Sequence, residues 1–169
     1  MAELPAVPAD GNVKVLLVPA IADTSAPTVS ELTGATVVDI SCYLTSDGLN
    51  PSLNEQTITD ERLCSRQTYE QPGRSQRSLD VAYIDNTNTA DPNEAKETLV
   101  PGQPQYLVIR RGIAYEDAIA ATTQKVSVWP IKPGQYNEMP PEANSVLKTG
   151  QKLFVTGQVQ IDVAVAAGA

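Results

Sequence analysis

The chain has 169 residues and no histidine. The commonest general base and the usual nitrogen ligand of zinc are therefore missing. Its two cysteines, Cys42 and Cys64, cannot complete a four-ligand zinc site without histidine. The phosphate-loop, dinucleotide-fingerprint and nucleophile-elbow motifs are absent too. Acidic pairs such as Asp60/Glu61 and Glu116/Asp117 are adjacent in sequence, which on a strand sends the two carboxylates to opposite faces. No enzyme is expected, and no metal or cofactor.

Long apolar runs are also lacking, and none approaches the ~20 residues that span a bilayer. Met1–Asn12 has two acids and no base, and Val13–Ala22 is broken by Pro19, so neither reads as a secretion signal. The expectation is a chain kept in a cytosol, without membrane insertion and with its thiols reduced. Bases are scarce early in the chain. Nine of the 20 acids but only one of the 12 bases lie at or before Glu61, and the net charge is −8. That distribution argues against the clustered basic surface that phosphate capture requires.

With one Phe and one Trp among many Val and Thr, the composition favours strands. The stretch Thr36–Tyr69 reads as a hairpin. Val38, Ile40, Cys42 and Leu44 alternate with Asp39, Ser41 and Tyr43, the period of a half-buried strand. Thr45–Asn54, dense in Asp, Asn, Gly, Ser and Pro, reads as its tip. About ten residues are spent where two to five suffice. Such a tip is either a mobile surface loop or a contact loop that orders on a partner. Cys42 and Cys64 are expected to face each other across the two arms as buried thiols.

Lys14–Val18 reads as a buried strand, and Arg77–Asp85 as one with Leu79, Val81 and Tyr83 inward. Asp91-Pro92-Asn93-Glu94 has the form of a capping box opening a helix over Pro92–Leu99, with Ala95, Leu99 and Val100 as its buried side. Tyr106–Ile109 is continuously apolar, as in a strand covered on both faces. Lys125–Ile131 is a further strand, ended by Lys132-Pro133-Gly134, and Met139–Glu142 an extended crossing segment. Leu153, Val155, Val159, Ile161, Val163 and Val165 mark one face of a last strand about fifteen residues and ~50 Å long, bent at Gly157. These elements predict a single all-β domain over 1–169 with one short helix: an antiparallel β-sandwich or partly closed barrel. Residues 1–12 form an N-terminal arm and 163–169 a C-terminal arm. A last strand of that length must leave the body or join a neighbour.

The segments DISCYLTSDGLNPSLNEQTITDERLC (39–64), QTYEQPG (67–73), NEAKETL (93–99), YLVIRRG (106–112) and PPEANSVL…QKLFVTGQVQIDVAV (140–165) resemble the major tail tube proteins of long, non-contractile tailed bacteriophages, especially those infecting actinobacteria. The resemblance implies a β-sandwich with a flanking helix. It also implies hexameric rings whose inner strands close into one barrel, and stacking of the rings into a tube that conducts double-stranded DNA out of the capsid. The implied location is the virion tail, with assembly in the host cytoplasm. The implied partners are further copies of the chain, a tape measure protein, and a tail terminator or baseplate adaptor. DNA would pass without specific binding, along an acidic or neutral bore. In this reading Asp47, Leu49, Asn50 and Leu53 are candidates for contact between rings. Asp39, Ser41, Gln158, Gln160 and Asp162, on polar faces of the long strands, are candidates for the bore. A second reading is a β-sandwich module for carbohydrate binding or adhesion on a tail fibre or baseplate.

Overall fold

Tyr106–Ile109 sits near the middle of one sheet, where a strand apolar on both sides belongs. The computed structural model describes residues 2–168. It has strands β1 (Val13–Val18), β2 (Val38–Asp39), β3 (Leu44–Asp60), β4 (Tyr69–Ile84), β5 (Gln105–Arg111), β6 (Lys125–Glu138), β7 (Lys148–Val155) and β8 (Gln160–Ala164). Helix α1 (Val29–Leu32) precedes β2, and α2 (Glu94–Thr98) precedes β5. The strands form a single antiparallel sheet in the order β2-β1-β5-β6-β7-β4-β3, with β8 also beside β6, curled into a half-barrel.

Two apolar clusters sandwich part of this sheet. Leu107 and Ile109 of β5 join Val15, Leu17, Val81, Tyr83, Trp129 and Leu153 in the hollow, where Ala95 and Leu99 pack from α2. Val108 points the other way and joins Leu16, Val18, Val126, Val128 and Val165 under Leu32 of α1. Each such side chain contributes about 1.5–3 kcal/mol on leaving water, so β1, β5 and the start of β6 are anchored from both sides. The inward residues expected for β4 are the ones found, Leu79, Val81 and Tyr83.

Several expectations are corrected. The hairpin tip is not at 45–54. Those residues lie within β3, paired with β4 from Leu49↔Val81 to Asn54↔Gln76, and the connection falls between Asp60 and Tyr69. Gly48 marks a register shift in this ladder, where a Cβ would stand 2.1 Å from the Ala82 carbonyl oxygen. Pro51 is tolerated because β3 is an outer strand. The strand expected before the tip shrinks to β2. Beyond it, the Asp39 carboxylate accepts from the Ser41 N–H at 2.9 Å and turns the chain. Cys42 follows that turn and Cys64 lies in the connection after β3, and both are exposed rather than buried against each other.

The last strand is two strands in line along β6. Between them the Thr156 N–H donates to the Pro130 carbonyl at 3.0 Å, and Pro130 has no N–H to return. A Cβ on Gly157 would meet the Pro130 ring at 3.3 Å, so the bend needs its glycine. The single apolar face is lost across the break. Leu153, Val155 and Val159 pack in the hollow, Val163 and Val165 on the opposite cluster, and Ile161 is exposed. Pro133-Gly134 does not end β6, which shifts register between Pro133 and Tyr136 and continues to Glu138.

Helix α2 starts at Glu94 with Asn93, not Asp91, as N-cap, and no side chain caps it. The Asn93 side chain instead accepts from the Asn86 N–H and donates to the Asp85 carboxylate, both at 3.5 Å. Val100 is exposed. The capping box that does form, Thr28 with Glu31 on α1, carried the Thr-x-x-Glu pattern in plain view. Residues 163–168 are no free arm. Val165 is buried, and the Ala166 N–H and carbonyl bond to Pro27 and Val29. Met1 and Ala169, the ends of the two expected arms, lie outside the described residues, and residues 2–8 form no regular element.

Candidate assembly surfaces

β4 has β7 beside it only from Leu79 to Ile84. Past Leu79, β3 and β4 pair with each other alone as far as Asp60↔Tyr69. The result is a two-stranded arm of about ten residues per strand, ~33 Å long. Isolated two-stranded hairpins are marginal in water, and this one presents Leu53, Ile58, Leu63 and Tyr69 to solvent, Leu63 entirely so. Near the base Ser52 and Ser78 share a hydrogen bond across the strands. Further out, Gly73 sits where a Cβ would come within 2.9 Å of the Gln56 carbonyl, at a register shift that bends the ribbon. At the tip Arg62 grips Asp60 with three hydrogen bonds of 2.9–3.3 Å.

Several stretches of sheet edge pair with nothing among the described residues: the outer edges of β2, β3 and β8, the β7-side edge of β4 before Leu79, and the end of β6 on the side away from β7. The face of β3, β4, β7 and late β6 that points away from the hollow is open. Asp80, Lys132, Lys152 and Phe154 are exposed on it, and the Lys152 ammonium lies 5.4 Å from the centre of the Phe154 ring.

The other face of this half is held by polar contacts. Tyr83 donates to Gln151 Oε1 at 3.0 Å, and Gln151 donates to the carbonyls of Leu99 and Gly134 at 2.9 and 2.7 Å. Burial, together with the nearby Tyr136 and Asp85, pushes the Tyr83 hydroxyl pKa well up, so it stays a donor. Partial burial works against the charge on Asp85. Hydrogen bonds from Thr87, Lys96 and Thr149 outweigh it and hold the carboxyl below its ordinary range. This cluster ties α2 to the sheet, with Lys96 at 2.9 Å and Thr149 at 2.8 Å. On the opposite side, the buried Arg110 guanidinium donates to the Ala114 and Asp117 carbonyls, both at 2.8 Å, and holds the loop after β5.

The candidate residues divide between these surfaces. Asp47 is exposed beside the register shift, where the Thr45 hydroxyl donates to it at 2.7 Å and holds its carboxyl below the ordinary range. Asn50 is exposed and Leu53 partly so, while Leu49 packs against the hollow. Asp39 and Ser41 are engaged with each other, and the Val15 N–H donates to Ser41 Oγ at 2.7 Å. Gln158 is exposed in the break between β7 and β8, Gln160 is half-buried opposite Val128, and Asp162 is exposed at φ 52°. Leu49, Leu53, Ser41 and Asp162 come together around one groove of about 660 Å³, whereas Gln158 and Gln160 stand apart from it. Sequence reading placed the return of the Thr36–Tyr69 hairpin directly after Asn54; in the structure Glu55–Asp60, with Thr57-Ile58-Thr59, continues β3 outward and the return begins at Tyr69.

No trio of His, Cys, Asp or Glu side chains among the described residues is placed to hold a metal ion. Among the described residues no helix is long and apolar enough to cross a membrane. An antiparallel half-barrel with open edges and a projecting ribbon defines a structural building block. The chain matches the family model of the phage tail tube protein over residues 1–168, and it belongs to that family. The family is structural and not enzymatic, and its place is the virion tail. No curated protein matches the chain. Among solved structures, a chain of the anti-feeding prophage (AFP) baseplate, determined by cryo-EM and 6-fold symmetrised, superposes with a TM-score of 0.52. The match covers 94% of this chain and 96% of that one at 16% identity, a likeness of fold.

Proposed function

We propose that this chain assembles into hexameric rings that stack as the tube of a long, non-contractile tail, the conduit for double-stranded DNA during ejection. The observation that carries this reading is the ribbon beyond Leu79, paired only with itself and bearing four exposed apolar side chains. Within a ring, the unpaired edge of β3 and the end of β6 in the next copy supply each other's missing ladder. Between rings, the ribbon supplies a contact that joins unlike surfaces, and such a contact propagates as a filament when its geometry does not close on itself. Asp47, Asn50 and Leu53 stand at its base, so the contact between rings extends outward from them to Ile58 and Leu63.

For the bore, Gln158 and Gln160 remain candidates on the β7–β8 side, whereas Asp162 borders the groove at the base of the arm. Asp39 and Ser41 spend their polar atoms on the turn after β2, so their contribution is smaller. A wall of amides, hydroxyls and few charges lets DNA slide, because it neutralises few phosphates. A tape measure protein and a terminator or baseplate adaptor would meet the tube inside and at its ends, and assembly would proceed in the host cytoplasm.

Negative-stain imaging of the purified chain tests this reading. Rings or tubes are expected from the full chain. A variant with residues 54–76 replaced by Asn-Gly, which closes the hairpin at Leu53 and Arg77, should remain folded and fail to stack. Single particles from the full chain at high concentration, or normal tubes from the shortened one, would overturn it.

A further inference from the structure

The apolar hollow of the half-barrel does not close at its arm end. It runs out into the groove between the base of the arm and the β1–β5–β6 side, where Val15, Leu49, Leu53, Ile109, Trp129 and Ile161 form the walls. The rim carries both signs of charge, with Arg77 and Arg111 set among Asp10 and Asp162. Trp129 is buried, yet its indole N–H has no acceptor among the described residues, a rare state for an interior donor. As an isolated copy, the chain leaves the end of its core uncapped and a donor unused.

The chain also presents a segment of the complementary kind. At the arm tip Leu63 is fully exposed, with Glu61 on one side and Arg66 on the other. That gives one apolar knob flanked by both signs of charge, against an apolar groove with both signs on its rim. The tip cannot reach the groove of its own copy, because the groove lies at the arm's base and the paired strands hold the tip ~33 Å away.

We infer that the groove is the receptor for the arm tip of a second copy of this chain, with Leu63 seated against the Trp129 side and Glu61 and Arg66 meeting the rim arginines and aspartates. This rests on the tube reading and adds to it the partner surface that the arm engages. The contact is head-to-tail: each copy offers a knob at its arm tip and a socket at its arm base, and such contacts run on as a filament where successive copies do not rotate back onto the first.

Cross-linking in the full chain tests it. In a Cys42→Ser background the native Cys64 remains beside Leu63, and Asp162→Cys places a thiol on the rim. Oxidation of assembled material with copper phenanthroline should give a ladder of disulfide-linked multimers. The same experiment with Glu142→Cys, in the loop between β6 and β7 at the far end of the sheet, should not. Leu63→Asp should reduce sedimenting assemblies by about tenfold or more, as removal of a buried apolar anchor does. Tubes that form normally but give no ladder with Asp162→Cys, or that form equally well with Leu63→Asp, would overturn the groove assignment and leave the tube reading standing. A parent chain that never assembles would overturn both.

Discussion

β6 passes through two kinds of sheet. Up to Ile131 it lies between β5 and β8, with Val126 and Val128 packed on one face and Trp129 and Ile131 on the other. Beyond Ile131 it pairs with β7, and one face of that half is bare. The first half is the finished one, packed on both faces and closed by α1 and by the loop that Arg110 holds, except at the groove beside Trp129. The second half keeps only an inner face, and its far end has neither face covered. A domain that worked alone would have no use for the second condition. The division separates what stabilises the subunit from what is left available to other subunits.

The sharpest way to test that division is to remove volume from the finished half. Leu107 is fully buried on β5. Leu107→Ala should lower unfolding stability by about 3 kcal/mol, read as a shift in the urea midpoint. A shift below about 1 kcal/mol would mean that this half is not the anchor. A smaller loss is expected where α2 joins the sheet. Asp85→Asn should cost about 2 kcal/mol near neutral pH, since it removes charge-assisted bonds from Lys96, Thr87 and Thr149. The folded carboxyl titrates below its ordinary value of 3.8, so its contribution is complete above that value and fades as pH falls through the lower folded one. The gap between wild type and Asp85→Asn should therefore be flat near pH 7 and narrow below about pH 4. A gap that widened in acid would contradict the assignment. The smallest effect belongs to the arm. Ile58→Ser should change the stability of the unassembled chain by less than about 0.5 kcal/mol, and a larger loss would show that the ribbon packs on its own body.

The finished half was more legible in the sequence than the unfinished one. Burial on both faces writes itself as an uninterrupted apolar run, and Tyr106–Ile109 announced β5 for that reason. Burial on one face writes period two, which revealed Leu79, Val81 and Tyr83. The arm is buried on neither face, so β3 has no burial pattern to read. Its Asp47-Gly48 and Asn50-Pro51 looked like a turn, but they serve a register shift and an outer edge inside a long strand. The groove was invisible for another reason. Its walls come from segments far apart in the chain, from Ala9 to Asp162, and no local window contains two sides of it.

A 17-residue strand with one unused ladder would ordinarily glue newly made copies together at random. Here Pro51 withholds a donor from that row, and Asp47 and Glu55 place like charges along it. Two such margins repel when they meet in bulk, so freshly synthesised molecules should stay dispersed in the cell. On the tube reading, growth would then wait for a seed that already presents the right counterpart, rather than follow from how much protein has accumulated.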